Sequence, residues 1–269
     1  MLRIARAERE TEPWALITEP MRGEHRYRID APAGRTVKSW DRNGSYPSAM
    51  ANVPVAAGPL KRTKGIAYAT GHAGIYEIPR FAWFGGPHPL GEIADAATDS
   101  WWVSTPHLRL CTRLAAQGRI PPFEIGDAWT APAVTNLFKA FSADVSELRE
   151  LARPDEDMYG EVKRKSSIAI RALWPKGSRS PFWRPDWSVS VRAEASVRHW
   201  VRADQAAAGG AELVRLGNVD EVAFLVPPKA RSTWVPEPYA EGTGFGYVKP
   251  KGTALAAEWN RPRGRRATR

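Results

Sequence analysis

The feature that most constrains this chain is a pair of aspartates, each placed beside a strand-like run near opposite ends of the sequence. The first run covers residues 34–40 and leads into Asp41, with an Asn43-Gly44 turn directly after it. A carboxylate at the end of a strand is held at a defined position on a rigid element. The first aspartate is therefore a candidate site residue, although Asp-x-Asn-Gly is also common in ordinary surface turns.

The second aspartate belongs to a predicted β-hairpin. Two apolar runs, residues 211–216 and 221–226, flank a Gly217-Asn218 turn. This pattern puts Asp220 beside the hairpin tip. Taken alone, the pattern is more typical of a solvated hairpin residue.

Taken together, the two segments resemble two motifs of family B DNA polymerases, in that family's order. Residues 41–49, DRNGSYPSA, resemble DxxSLYPSI, and residues 216–222, LGNVDEV, resemble YGDTDSI. The resemblance implies that Asp41 and Asp220 are catalytic and bind Mg²⁺ or Mn²⁺. It also implies that Gly44, Ser45 and Tyr46 contact the incoming nucleotide, with Tyr46 packing under its sugar. Asn218 departs from the family, because an aspartate is usual there.

The chemistry of phosphoryl transfer agrees with such a site. Two divalent ions about 3.5–4 Å apart can stabilise the attacking and leaving oxygens. Mg²⁺ prefers oxygen ligands and keeps several waters, so a few carboxylates from adjacent strands are enough.

Three further segments resemble weaker parts of the same family pattern. Residues 101–110 followed by 125–129 resemble the palm's strand, helix and returning strand between the first metal aspartate and the fingers. Thr105-Pro106 is a typical helix start, and the helix has one apolar stripe that is expected to be buried: Leu108, Cys111, Leu114 and Ala115. Residues 161–170 resemble KxxxNSxYG, which implies nucleotide binding by Lys163 and Ser167, on one helical face with Ile170. The family's asparagine and tyrosine-glycine pair are missing, and Lys163 can also be read as a solvated helix lysine. Basic residues near the end are predicted to bind DNA: Lys249, Lys251, Arg261, Arg263, Arg265 and Arg266.

Composition agrees with a nucleic-acid partner. The formal net charge is +10, and Arg supplies 29 of the 39 basic residues. Arginine's planar fork suits phosphate, although a GC-rich genome also enriches arginine. The single cysteine excludes an internal disulfide, and no apolar run approaches the roughly 20 residues of a membrane span. The expectation is a soluble cytoplasmic protein that needs no membrane partner.

The predicted fold class is α+β: a polymerase-type palm with a mainly antiparallel sheet and an inserted helical fingers subdomain. The expected first fingers helix carries an apolar stripe, and a later helix begins near Pro185, capped by Asp186. The stripe consists of Val134, Leu137, Phe138, Phe141, Val145 and Leu148. The expected divisions are an N-terminal arm (1–34), first palm part (35–132), fingers-like insertion (133–183), second palm part with the start of a thumb-like segment (184–255) and basic tail (256–269).

The resemblance implies a template-directed DNA polymerase acting on DNA primer-template and deoxynucleoside triphosphates. A terminal or primer protein is a further candidate partner. Only 40 residues precede Asp41, so we expect no proofreading exonuclease. One alternative is a palm-derived DNA-binding scaffold with weakened or lost catalysis, acting at DNA ends or replication complexes. Another is a two-metal nuclease, which would need more central carboxylates than the sequence reveals.

Overall fold

The computed structural model describes residues 13–69, 71–174 and 182–261. Runs of antiparallel strands and runs of helices follow one another along the described chain, which is the pattern of the α+β class. The helices are α1 (Ser45–Met50), α2 (Thr105–Ala116), α3 (Phe138–Ala152), α4 (Glu156–Ala172), α5 (Pro185–Ala208) and α6 (Ala256–Trp259). The strands are β1 (His25–Arg28), β2 (Thr36–Arg42), β3 (Val55–Ala56), β4 (Lys61–Lys64), β5 (Ala73–Pro79), β6 (Ser100–Ser104), β7 (Asp127–Ala131), β8 (Val134–Thr135), β9 (Leu213–Asn218), β10 (Glu221–Leu225) and β11 (Val248–Leu255).

Within the described residues, five of these strands form an antiparallel sheet in the order β1-β9-β10-β2-β11. The predicted hairpin is confirmed as β9 and β10. Its turn is Val219-Asp220, two residues later than expected, because Gly217 and Asn218 still belong to β9. Asn218 adopts the left-handed region (φ 50°), which asparagine tolerates better than most residues.

A second antiparallel sheet has the order β4-β7-β5-β6, and the two-residue strands β3 and β8 pair separately. The helix predicted to start at Thr105-Pro106 is confirmed as α2. The Thr105 hydroxyl accepts a hydrogen bond from the Gly74 backbone N–H at 3.0 Å, so the start of α2 is fixed to β5. Leu108, Cys111 and Leu114 are buried, as the predicted stripe requires.

The two larger sheets share one hydrophobic core with α2 and α5. Trp40 from β2 and Phe224 from β10 enter it from the first sheet, and Ile78 from β5 enters it from the second. Leu108 of α2 and Trp200 of α5 are buried in the same cluster. Burial of apolar surface at about 25 cal/mol per Å² makes this cluster a principal source of stability. It also holds β2 and β10 against a rigid layer of helices.

The inserted helical pair is confirmed, but its first helix begins later than predicted. Val134 lies in β8, where it pairs with Ala56 of β3, and the helix starts at Phe138. Half of the Leu137 and Leu148 surface is exposed, so the predicted stripe is wrong at these positions. Val145 is buried as expected. Long-range strand pairing has overridden the helical spacing at Val134.

Helix α5 begins where predicted, but Asp186 is not its N-cap. Asp186 is buried and forms a two-pronged ion pair with the side chain of Arg184, at 2.9 and 2.7 Å. Arg184 precedes the first helical residue, Pro185. The aspartate therefore neutralises a buried arginine at the start of α5.

Candidate active site

Pairing between β2 and β10 brings Asp41 and Asp220 together. Asp41 lies opposite Glu221, and the Arg42 backbone N–H donates to the Asp220 carbonyl at 2.8 Å. Strand β2 runs on to Arg42, so Asp41 lies within the strand and not, as predicted, after its end. Both aspartates are partly exposed. Their carboxylates therefore share one part of the sheet and are accessible to a ligand.

The two aspartates interact electrostatically. Burial raises the pKa of Asp220, and the negative charge of Asp41 raises it further. Glu221 and Glu24 act in the same direction, whereas Lys251 opposes them. A divalent cation at this position would therefore bind among several negative charges.

The neighbouring strand β11 supplies a cation to the same position. The Lys251 Nζ lies 3.0 Å from an Asp41 carboxylate oxygen and 3.5 Å from a Glu221 carboxylate oxygen. Glu221 also pairs with Arg215 at 2.8 Å. Lys249, the Cα partner of Asp41 in β11, is exposed. Lys251 is therefore a direct partner of the candidate metal ligand Asp41.

The donor set fits a hard divalent cation that keeps much of its water. Asp41 and Asp220 offer carboxylate oxygens, the ligands preferred by Mg²⁺ and Mn²⁺. Among the residues that the structure describes, no group of three or more His, Cys, Asp or Glu side chains is arranged to hold a metal ion. The aspartate pair would therefore supply only part of a coordination shell.

The turn after β2 has a fixed geometry. Gly44 is in the left-handed region (φ 57°), and a Cβ atom there would lie 2.4 Å from the Phe245 ring. Both the backbone conformation and the close approach require glycine. Ser45 follows at the first position of α1, and its buried hydroxyl has no hydrogen-bond partner among the described residues.

Tyr46 lies beside the aspartate pair. Its hydroxyl donates to Glu24 at 3.2 Å and accepts from Arg192 of α5 at 3.2 Å. Burial raises the pKa of Tyr46 to about 12, with Arg192 acting in the opposite direction and Glu24 and Asp220 in the same direction. The hydroxyl is therefore protonated at neutral pH, and its two partners fix the ring beside α1.

Lys163 and Ser167 lie on the exposed face of α4. The Ser167 hydroxyl donates to the Lys163 carbonyl at 3.0 Å, and the Lys163 ammonium forms no ion pair with any described residue. Ile170 is buried in a cluster with Met50 of α1 and Trp187 of α5. The C-terminal part of α4 is thus anchored to the helix that follows Asp41.

The predicted DNA-binding residues are spread over β11 and the chain end. Lys249, Lys251 and Arg261 are exposed. Arg263, Arg265 and Arg266 lie outside the described residues.

Sequence reasoning missed several residues around the aspartates: Glu24, Glu221, Arg192 and the pairing of Lys251 with Asp41. Glu24 and Arg192 contact each other at 3.6 Å although one precedes β1 and the other lies in α5. No local pattern marks such a contact. Only Glu221 could have been predicted from the sequence, because it follows the candidate metal ligand Asp220 directly.

The fold is similar to that of a DNA polymerase. Phi29 DNA polymerase complexed with primer-template DNA and incoming nucleotide substrates superposes with a TM-score of 0.58 at 14% identity, over 90% of this chain and 49% of that chain. Its binary complex with primer-template DNA gives 0.57 at 13% identity, over 90% and 48%. The complex with single-stranded DNA gives 0.54 at 13% identity, over 87% and 46%.

This chain thus spans about half the length of the polymerase that it resembles. No protein-family model matches the sequence, and no curated protein matches it significantly. The similarity defines a distant polymerase-like fold. In the described residues, no helix is both long and apolar enough to cross a bilayer.

Proposed function

We propose that this chain is a template-directed DNA polymerase of the family B type, in which Asp41 and Asp220 bind Mg²⁺ or Mn²⁺. The observation that carries the proposal is the β2–β10 pairing, which joins two aspartates from distant motifs at one accessible position. The polymerase-like fold supports the same function. Its substrates would be DNA primer-template and deoxynucleoside triphosphates, and a terminal or primer protein is a candidate partner.

The palm would consist of residues 35–132 and 184–255, with the fingers-like insertion at 133–183. The N-terminal arm would cover residues 1–34 and the basic tail 256–269. The large shared core supports a single palm built from both segments, because it joins strands from each.

Each site residue has a distinct task in this proposal. Asp41 and Asp220 would hold the cations, which when bound would stabilise negative charge on the attacking and leaving oxygens. Gly44 and Ser45 would lie against the triphosphate, and the Tyr46 ring would support the sugar. Lys163 and Ser167 would reach the triphosphate from α4.

The basic residues would contact the phosphate backbone of DNA. They are Lys249, Lys251, Arg261, Arg263, Arg265 and Arg266. Lys251 would exchange its partner on binding DNA, because its Nζ lies 3.0 Å from an Asp41 carboxylate oxygen. Arginine and lysine contacts to phosphate would make DNA binding weaken with salt.

Primer extension with Mg²⁺ or Mn²⁺ tests this function. Asp41→Asn and Asp220→Asn keep the side-chain volume but remove a charged ligand, so both should abolish extension while the protein stays folded. Asp144→Asn removes an exposed carboxylate from α3 and should leave extension unchanged. Undiminished extension by either active-site variant would contradict the assignment.

A second function is favoured by one observation: Asn218 stands where the family motif has an aspartate, at the exposed end of β9. An amide there supplies less charge for cation binding. The alternative is a palm-derived DNA-binding scaffold with no polymerase activity. DNA binding without extension by the unmutated protein, with either cation, would establish it in place of the polymerase.

A further inference from the structure

A cavity of about 530 Å³ lies behind the candidate active site, between α2, α5 and the segment before β11. Arg42 lines it, and because successive strand residues point to opposite faces, the cavity lies across the sheet from Asp41. Five arginines line the cavity, and none of its described lining residues is acidic: Arg42, Arg109, Arg113, Arg198 and Arg202.

The charge in the cavity is only partly balanced. The buried carboxylate of Glu194 pairs with Arg109 at 2.5 Å and with Arg198 at 2.7 Å. Arg202 donates to the Gly246 carbonyl, which is neutral. In the described parts of the chain, Arg42, Arg113 and Arg202 pair with no carboxylate. The cavity therefore has a net positive charge.

Among these arginines, Arg42 is buried without a charge partner and with two of its nitrogen atoms lacking hydrogen bonds in the described residues. Its side chain is 5% exposed, and its Nε and Nη1 atoms have no hydrogen-bond partner among the described residues. Buried donors normally have partners, and an unpaired buried charge is costly. An anion in the cavity would compensate the unpaired charge of Arg42.

We propose that this cavity binds a small phosphate-bearing anion, whose phosphate oxygens accept hydrogen bonds from Arg42, Arg198 and Arg202. The planar guanidinium fork matches phosphate oxygens in a two-pronged arrangement. Three or more arginines fit a ligand with several negative charges, such as a diphosphate. The volume is within the range of small-molecule sites, and Leu110 and Phe245 give it an apolar wall for an organic group.

This site is separate from the aspartate pair and does not depend on the proposed polymerase function. Arg42 nevertheless follows Asp41 directly, and its backbone N–H binds the Asp220 carbonyl. A ligand in the cavity would thus contact the same strand as the candidate metal site, from its opposite face.

The test is titration of the full chain with pyrophosphate, followed by calorimetry and by thermal unfolding. EDTA is present to prevent metal-assisted binding at the aspartate pair, and the ionic strength is held constant with sodium chloride. We expect saturable binding, and a rise of about 5 °C or more in the unfolding midpoint at 100 times Kd. Arg202→Gln and Arg42→Gln should each weaken binding at least about tenfold, the effect of losing a charged hydrogen bond.

Arg62→Gln is the matched control, because it removes an arginine from β4 that does not line the cavity, and it should bind as the unmutated protein does. Circular dichroism checks folding, and if Arg42→Gln fails to fold, Arg202→Gln and Arg113→Gln decide the result. Absence of saturable binding, or equal affinity in the folded cavity variants, would overturn the proposal. Primer and metal are absent, so failure here is distinct from failure of primer extension.

Discussion

At the scale of single residues, the neighbours of the aspartate pair set the expected behaviour of the site. Tyr46 is held by two hydrogen bonds, from Arg192 and to Glu24, while Lys251 holds Asp41. Each contact joins segments that are distant in the sequence. Substitutions of Tyr46 and Lys251 therefore test different properties, sugar selection and cation binding.

Replacing Tyr46 with Val should relax discrimination against ribonucleotides. The shorter side chain leaves space where the ring would meet a 2′-hydroxyl, and steric selection of this kind is worth about 1–3 kcal/mol, or roughly tenfold or more. Incorporation of dNTP and rNTP by primer extension measures the ratio. Tyr46→Phe keeps the ring and loses only the bonds to Glu24 and Arg192, so it should keep the selectivity. An unchanged ratio in an active Tyr46→Val enzyme would exclude the steric role.

Replacing Lys251 with Ala should tighten Mn²⁺ binding. The ammonium competes with the cation for Asp41, and a partly exposed ion pair of this kind contributes at most about 1 kcal/mol, roughly fivefold in affinity. Titration calorimetry or electron paramagnetic resonance of Mn²⁺ measures the change. Lys249→Ala on the same strand removes an exposed lysine that forms no ion pair with the described residues, and it should have a smaller effect. Equal effects of the two variants would mean that general charge, and not the Asp41 contact, controls binding.

At the scale of elements, α4 connects an exposed lysine to the active-site helix. Its C-terminal part buries Ile170 against Met50 of α1 and Val191 of α5, whereas Lys163 lies nearly two turns earlier on the exposed surface. A contact between Lys163 and a ligand would therefore be transmitted through a packed helix. We therefore expect a nucleotide bound at Lys163 to affect the position of α4 relative to α1.

Replacing Lys163 with Ala should remove most of the tightening of the primer-template complex by the next correct dNTP. A charge-assisted hydrogen bond to the triphosphate is worth about 1.5–3 kcal/mol, so the loss should be about tenfold or more. Equilibrium binding with a chain-terminated primer and metal measures it. Nucleotide-free DNA binding should change little. Lys165→Ala, which removes a nearby exposed lysine paired with Glu161 at 3.9 Å, is the control. A full dNTP effect in the Lys163 variant would remove this lysine from the nucleotide site.

At the scale of the whole molecule, buried histidines join the main sheet to its helical layer. His25 of β1, His107 of α2 and His199 of α5 are each fully or almost fully buried. A ring nitrogen of His25 lies 3.0 Å from the Ser196 hydroxyl oxygen. The centroids of the His25 and His199 rings are 6.3 Å apart. Burial lowers the pKa of His25 to about 4 and that of His107 to about 3, and it holds the pKa of His199 well below its usual value.

The free energy of unfolding should therefore fall as the pH is lowered from about 6.5 towards 4. In this interval the unfolded chain binds protons at these histidines and the folded chain does not, so protonation favours unfolding. His25 and His107 would each contribute on the order of 3 kcal/mol over the full interval. Urea unfolding at several pH values measures the slope. A constant stability between pH 6.5 and 4.5 would show that these rings are not buried in the neutral form.

The sequence by itself determined the elements that carry the aspartates. Strand β2, the β9–β10 hairpin and the start of α2 depend on apolar alternation, turn residues and proline, which act over a few neighbouring residues. The same local rules could not decide whether Val134 is helical, because pairing with β3 competes with its helical spacing. They also could not distinguish a capping Asp186 from one that neutralises Arg184.

Only the tertiary structure decided what surrounds the aspartates. Glu24, Arg192 and Lys251 come to Asp41, Tyr46 and Asp220 through strand register and through the packing of α5, which involve residues far apart in the chain. The arginine cavity has the same origin: Arg42 contributes from a strand and Arg202 from a helix, and neither has a local motif. A sequence pattern specifies which face of its own element a side chain occupies. Which other element packs against that face depends on how the shared core is buried, and this is a property of the whole chain.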